Sequence, residues 1–220
     1  MNKPYMHAIG FTHTGGPQVF ELLTLPIPKL EPYEVLVEVM AIGINPVDCK
    51  VRKHATKVSE TNPIVPGYDA AGVIVAIGSD VTKFDIGDEV YYAGNLRKQG
   101  TYAPYHAIDS RVIARRPTLL SYSEAAGIPL DAISAWEALI DRMKIPEDPT
   151  ENEGKTILIT AGAGGIGSIA IQIAKKILGL KVIASASRED THDWIKKCGA
   201  DSVRSEERRV GKECRSRWSP

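Results

Sequence analysis

The chain has 220 residues, 43% hydrophobic and 25% charged, with a formal net charge of 0. That balance suits one or two globular domains and offers no electrostatic footprint for nucleic acid or an anionic membrane. No apolar run approaches a bilayer span, no signal-like stretch opens the chain, and Cys49, Cys198 and Cys214 stand singly, so a cytoplasmic setting without a disulfide framework is expected.

Tyr5 to Gly10 reads as a first strand, Gly15–Gly16–Pro17 as a turn, and Phe20 to Leu23 as a second strand before the proline-punctuated loop Pro26 to Pro32. Glu34 to Met40 places Val35, Val37 and Val39 on one face, the two-residue period of a half-buried strand. Residues 41–48 leave that strand and turn. Ala70 to Gly78 is the next strand, and its glycines predict a bulge or a close backbone approach. Asp85 to Tyr92 turns into another strand, and Tyr102 to Ile108 and Val112 to Arg115 complete a strand-rich region. Many short strands with Gly/Pro turns suggest a partly closed barrel or a sandwich.

The pattern changes near Ser121. Ser123 is a candidate helix cap. Leu130 to Met143 carries Ile133, Trp136, Leu139 and Ile140 on one helical stripe, and Lys144 to Gly154 reads as a loop. Thr156 to Thr160 is a compact apolar strand. It runs into Ala161–Gly162–Ala163–Gly164–Gly165–Ile166–Gly167, then an apolar helix with Ile169, Ile173 and Ile177, then the strand Lys181 to Ser185. The unit is a βαβ of about 30 residues.

A lone G-x-G-x-x-G is weak, but here the required strand precedes it and a helix and second strand follow. Gly162 is expected to permit the tight turn, Gly164 to leave room for a pyrophosphate, and Gly167 to let helix and strand pack closely. Gly165 and Ile166 complete the turn, and the helix N-terminus offers free N–H groups to phosphate. The alternative is a glycine-rich turn used only for packing. Where an acid would hold a ribose, about 20 residues into the motif, the chain reads Ser185–Ala186–Ser187–Arg188, with no acid until Glu189. That suits a 2′-phosphate, which Arg188 can bind and a carboxylate would repel. The expected cofactor is therefore NADPH. A solvated surface arginine is the alternative.

Five segments together resemble one family: Gly43–Asp48 (GINPVD), Val65–Gly72 (VPGYDAAG), Gly87–Gly94 (GDEVYYAG), Ala125–Leu139 (AAGIPLDAISAWEAL) and the stretch from Gly154 to Asp201. The chain resembles the medium-chain dehydrogenase/reductase superfamily. Within it, the likeness is to the zinc-type alcohol dehydrogenase-like group near the quinone oxidoreductases. The resemblance implies a GroES-like, mostly-β substrate domain over 1–124 and a truncated α/β Rossmann nucleotide domain over 125–203. It also implies a substrate cleft between them, hydride transfer to a quinone, enone or aldehyde, and a homodimeric parent.

The family's catalytic zinc ligands would fall near Asn45–Pro46, at Tyr68 and near Leu130, which are poor ligands, and the four-cysteine structural lobe is absent. No metal is expected. Another electrophile must then polarise the acceptor, and Asn45 and Tyr68 can each donate a hydrogen bond. In related quinone reductases an asparagine at the position of Asn45 lines the nicotinamide cleft, although asparagine before Pro46 also suits a turn. Asp48 is expected to orient neighbours rather than give up a proton, on its low reference pKa. Arg52 and Tyr92 are further cleft candidates, with surface or strand packing as their alternative.

The resemblance ends after Val203. Residues 204–220 read RSEERRVGKECRSRWSP, follow neither helix nor strand periodicity, and resemble a translated sequencing adapter. They are expected to be a non-native tail, and the chain a piece of a longer enzyme with little activity of its own. A zinc-dependent alcohol dehydrogenase and a non-enzymatic nucleotide-binding relative are the competing readings.

Overall fold

The structure, a computed structural model, describes residues 4–205. Its contacts divide the chain into two units, Met1–Leu130 and Asp131–Pro220.

The first unit is built on an antiparallel sheet. β1 (Tyr5–Gly10) and β2 (Glu21–Pro26) pair with each other. β3 (Glu34–Gly43), β4 (Asp69–Ile77), β5 (Glu89–Ala93), β6 (Tyr105–Asp109) and β7 (Ala114–Arg115) form a separate five-stranded sheet in the order β6-β3-β4-β5-β7. Val35 and Val37 face the core with Ala70, Ile74, Val90 and Ile108, as the two-residue period predicts. The strand at Tyr105 begins three residues later than the sequence suggests. The chain after β3 does not merely turn: Pro46–His54 is a helix, α1. Its mean hydropathy is low, so no apolar stripe announces it, but its N-terminal signals are complete. Asn45 sits at the cap, Pro46 at the first helical position, and Asp48 in the first turn.

A second correction concerns α2 (Tyr122–Ala126). Its cap is Ser121, not Ser123: the Ser121 hydroxyl accepts the Glu124 N–H at 3.3 Å, and the Glu124 carboxylate accepts the Ser121 N–H at 2.8 Å. α2 buries Ala125 and Ala126 against Ala71. α3 (Pro129–Trp136) is shorter than its apolar stripe predicts and continues as a wider π-type turn over Glu137–Arg142, closed by the Met143 N–H on the Ala138 carbonyl at 3.0 Å.

In the second unit β8 (Thr156–Ile159), β9 (Lys181–Ala186) and β10 (Ser202–Ser205) are parallel, in the order β10-β9-β8. α4 (Gly165–Gln172), extended by a π-type turn over Ile173–Ile177, links β8 to β9, and α5 (His192–Cys198) links β9 to β10. Ala135, Ile171, Ala174, Leu178, Val182, Ala184 and Ile195 are its fully enclosed core. This is the 3-2-1 half of a doubly wound fold. β10 pairs Arg204 with Ser185 and Ser205 with Ala186, so strand structure runs two residues past Val203. The rest of the expected tail, from residue 206, lies outside the described residues.

Gly72 shows what the expected close approach consists of. It pairs with Val39 beside an irregular register, and an added Cβ would stand 2.1 Å from the Glu38 carbonyl oxygen and 2.7 Å from Val37 Cγ1. Backbone cannot yield as a side-chain tip can. Gly72→Ala is therefore expected to cost about 1–3 kcal/mol, read as a lowered midpoint in urea unfolding.

Candidate functional site

In the first unit the site is organised by one carboxylate. Asp69, 2% exposed, begins β4. Its Oδ2 accepts the Asn45 side-chain amide at 2.9 Å, and its Oδ1 accepts the Leu130 N–H at 3.0 Å. Three distant stretches are thereby tied together: the exit of β3, the entrance of β4 and the first turn of α3. Asp48 fixes the same corner from the other side. Its Oδ2 accepts the Asn45 backbone N–H at 2.8 Å and the Tyr102 hydroxyl at 3.3 Å. Asn45 is thus a helix cap and a bound amide at once.

The low reference pKa is a poor guide to Asp48. Burial pushes its carboxyl up, and hydrogen bonds from Asn45, Tyr102 and Gly67 pull it partly back. The Tyr68 phenol is raised as well, by burial and then by the charge of Asp48, so it stays a proton-bearing donor. Tyr68 lines a cavity of about 770 Å³ in this unit, with Val51, Ile64, Gln99 and Ala103. That volume suits a small organic molecule.

Arg52 and Tyr92 are engaged in packing. Arg52 Nε donates to the Gly15 carbonyl at 3.2 Å, with its guanidinium 5.6 Å from the centre of the Phe20 ring. Tyr92 is buried, and its ring stacks on His106 at 5.5 Å between centroids. His106 Nε2 lies 3.0 Å from the Gln99 carbonyl, which can only accept, so Nε2 carries the proton. Nδ1 of the neutral ring then accepts the Tyr92 hydroxyl at 3.0 Å. Burial drives the His106 pKa down to about 4.

In the second unit the glycine turn joins β8 to α4, with roles differently shared than expected. The residue that takes the left-handed backbone is Ala161, at φ 51°. Gly162 is favoured by tight packing instead: a Cβ there would lie 3.0 Å from Ala184 Cβ and 3.1 Å from Ile171 Cδ1. At Gly167 a Cβ would meet the Ala161 carbonyl oxygen at 2.4 Å and Gly162 Cα at 2.9 Å, the close approach the sequence predicts. Gly164 caps α4 and stands open, its nearest would-be contact the Ala161 oxygen at 3.4 Å. The Ser168 N–H reaches the Gly164 carbonyl at 2.9 Å, which leaves the amides of Gly165, Ile166 and Gly167 ahead of that bond.

Ser185 is buried in β9, and its carbonyl accepts the Gly162 N–H at 2.8 Å. Ser187 and Arg188 are exposed just beyond β9. β8 and β9 are parallel, so the turn after β8 and Ser187–Arg188 lie at the same carboxyl edge of the sheet. Arg188 is 74% exposed and has Asp190 at 3.9 Å as an ion partner.

The zinc implied by the wider family does not fit. Asn45 and Leu130 do converge, on Asp69 next to Tyr68, but they bring an amide, an aliphatic chain and a phenol. Among the described residues no group of three or more His, Cys, Asp or Glu could hold a metal ion. Cys49 and His54 are both exposed on α1. No helix among the described residues is long and apolar enough to cross a membrane.

Residues 31–118 match the alcohol dehydrogenase GroES-like domain family. A zinc-type alcohol dehydrogenase-like protein of Staphylococcus aureus is 47% identical over 176 residues, covering 80% of this chain and 51% of that protein. The quinone oxidoreductase structure from Coxiella burnetii superposes with a TM-score of 0.77 at 32% identity, covering 91% of this chain and 62% of that one. The chain belongs to the medium-chain dehydrogenase/reductase superfamily. Another member, the chloroplastic NADPH-dependent alkenal/one oxidoreductase of Arabidopsis thaliana, is 35% identical over 207 residues, covering 89% of this chain and 51% of that protein. The chain spans about half the length of the curated superfamily members it matches.

The superfamily's GroES-like unit here carries a pH-sensitive element in His106. Its folded pKa, about 4, lies below the 6.5 of an ordinary histidine, so the unfolded chain takes up the proton first as pH falls. The contribution of neutral His106 is full above about pH 6.5 and is lost as pH falls towards about 4, a change of roughly 3 kcal/mol. Unfolding free energies measured across that range should fall more steeply for the wild type than for His106→Gln. Parallel curves would remove His106 as the cause.

Proposed function

We propose that the parent enzyme is an NADPH-dependent reductase of small quinone, enone or aldehyde acceptors, working without a metal. The observation that carries this reading is the glycine-lined N-terminus of α4 at the same carboxyl edge of the sheet as Ser187 and Arg188, with no acid at the end of β9. The amides of Gly165, Ile166 and Gly167 would hold the pyrophosphate, and Ser185, Ser187 and Arg188 would face the 2′-phosphate end. Bound NADPH supplies the hydride. Support for this chemistry comes from the alkenal/one oxidoreductase and the quinone oxidoreductase among the relatives.

In the first unit, Asn45 and Tyr68 are the proposed donors to the acceptor oxygen. Asp69 holds the Asn45 amide in one orientation, and burial keeps the Tyr68 phenol protonated. Preorganised donors of this kind stabilise the negative charge that develops on a carbonyl or quinone oxygen. Asp48 orients both Asn45 and Tyr102. The donor set argues against the zinc-dependent alcohol dehydrogenase reading.

Fluorescence titration is expected to show tighter binding of NADPH than of NADH. Arg188→Ala should weaken NADPH by about 1.5–3 kcal/mol, the scale of a charged hydrogen bond, and leave NADH unchanged. Equal NADPH affinity of the two proteins would take Arg188 out of the site.

Turnover is assigned to a chain of the relatives' length. Hydride transfer needs near-attack geometry at the nicotinamide, and the glycine turn anchors only the middle of the cofactor. NADPH oxidation with a panel of quinones, enones and aldehydes should therefore be fast and chelator-insensitive for the longer enzyme, and negligible for the 220-residue chain. Comparable rates per molecule would refute that assignment. Loss of activity together with bound zinc would restore the alcohol dehydrogenase reading, and binding with no turnover of any acceptor by either chain would favour a non-enzymatic relative.

A further inference from the structure

Asp131 lies on α3 and reaches the first residue of α4. An ideal Cβ on Gly165 would stand 1.9 Å from Asp131 Oδ2 and 2.9 Å from its Cγ. The carboxylate therefore fills the volume that a side chain at position 165 would use. It does so where the N–H groups of Gly165, Ile166 and Gly167 precede the Ser168–Gly164 bond. Asp131 is half-buried. Among the described residues it makes no hydrogen bond or ion pair, and burial alone pushes its carboxyl above the ordinary range. It is the single charged residue on α3, and α4 from Gly165 to Gln172 carries none. The nearest cation along the chain after α4, Lys175, is paired with Asp201 at 2.6 Å.

We propose that Asp131 is a resident anion of the dinucleotide site, and that dinucleotide binding is coupled to uptake of one proton by its carboxylate. The proposal rests on the reading of the Gly162–Gly167 turn as the pyrophosphate site. A helix N-terminus favours a negative group. In the free protein Asp131 brings a carboxylate up to the first residue of α4. When a pyrophosphate arrives at the same end, two anions stand at one helix terminus, and neither α3 nor α4 carries a cation to separate them. Like charges at such range raise the carboxyl pKa further. Taking a proton from solvent turns Asp131 from a competitor into a neutral neighbour.

The test measures binding of NADP⁺ and NAD⁺, both stable in acid, to the 220-residue chain and to Asp131→Asn by calorimetry between about pH 5 and pH 8. NAD⁺ lacks the 2′-phosphate, whose own titration near pH 6 would add a slope. The wild type should bind about tenfold more tightly at the acid end, the equivalent of one pKa unit between free and bound forms. Asp131→Asn should bind about tenfold more tightly than wild type at the alkaline end, with the pH dependence for NAD⁺ gone. Runs in two buffers of different ionisation enthalpy should show proton uptake for the wild type and none for the variant. Asp131→Ala should change affinity in the same direction. Identical pH profiles overturn the proposal, and so does weaker binding by Asp131→Asn at every pH, which would make the carboxylate an acceptor from the cofactor. Absence of dinucleotide binding by every variant at every pH would instead sink the underlying nucleotide-site reading.

Discussion

The polar corner where β3, β4 and α3 of the first unit meet hangs on the Asp69 carboxylate. It has one oxygen on the Asn45 amide and one on the Leu130 N–H. A buried carboxylate is costly unless its oxygens are satisfied. Here satisfaction requires three chain segments to arrive together: β3 must end at Gly43, α1 must start beyond Asn45, and α3 must start with its first-turn amide free. Gly43 shows how tight that junction is, since a Cβ there would lie 2.3 Å from the Ala126 carbonyl oxygen and 2.8 Å from Asp69 Cβ. The functional proposal for Asn45 inherits this constraint. Its amide can point one way only because Asp69 and Asp48 hold its side chain and its backbone from two sides.

The second unit depends on a different constraint, the approach of two backbones. Gly167 and Gly162 bring the first turn of α4 against the end of β8, and Ala161 absorbs the left-handed backbone that results. An alanine in that region is uncommon but possible. A glycine would usually stand there, and its absence indicates that the surrounding contacts over-determine the turn.

The sheet strands and the βαβ unit were legible because each has a period that one dimension records. Val35, Val37 and Val39 alternate; the glycines recur at fixed offsets between an apolar strand and an apolar helix. α1 was not legible by period, because its residues are mostly polar and its evidence lies in three capping positions, Asn45, Pro46 and Asp48. α2 was misread by two residues because Ser121 and Ser123 both qualify until Glu124 is matched to its partner. The π-type turns after α3 and α4 leave no trace in an apolar pattern, which reads the same through them. Asp69 was missed for a different reason. Its partners lie 24 and 61 positions away, and only its place beside Tyr68 in the GYD segment hinted at a role. Asp131 and Gly165 are in the same position, since nothing local in the chain connects them.

The convergence of Asn45, Tyr68 and Leu130 bears on how a scaffold can do without a metal. The resemblance puts zinc ligands of other family members at these positions, where one ion would cross-link three segments. Here the Asp69 carboxylate makes the cross-link, through a side-chain amide and a backbone amide. The substitution is conservative in topology and not in chemistry. A zinc ion would polarise an acceptor directly, whereas Asp69 is an anion and can act only by orienting the donors around it. On the proposed metal-independent reading, electrophilic assistance comes from neutral N–H and O–H groups, which lower a barrier by less than a metal unless they are fixed in advance. The burial of Asn45, Tyr68 and Asp48 serves that end, because in a low-dielectric corner an oriented amide or phenol acts on developing charge with little reorganisation. On that reading, rigid packing around weak electrophiles is what this site has in place of a strong one.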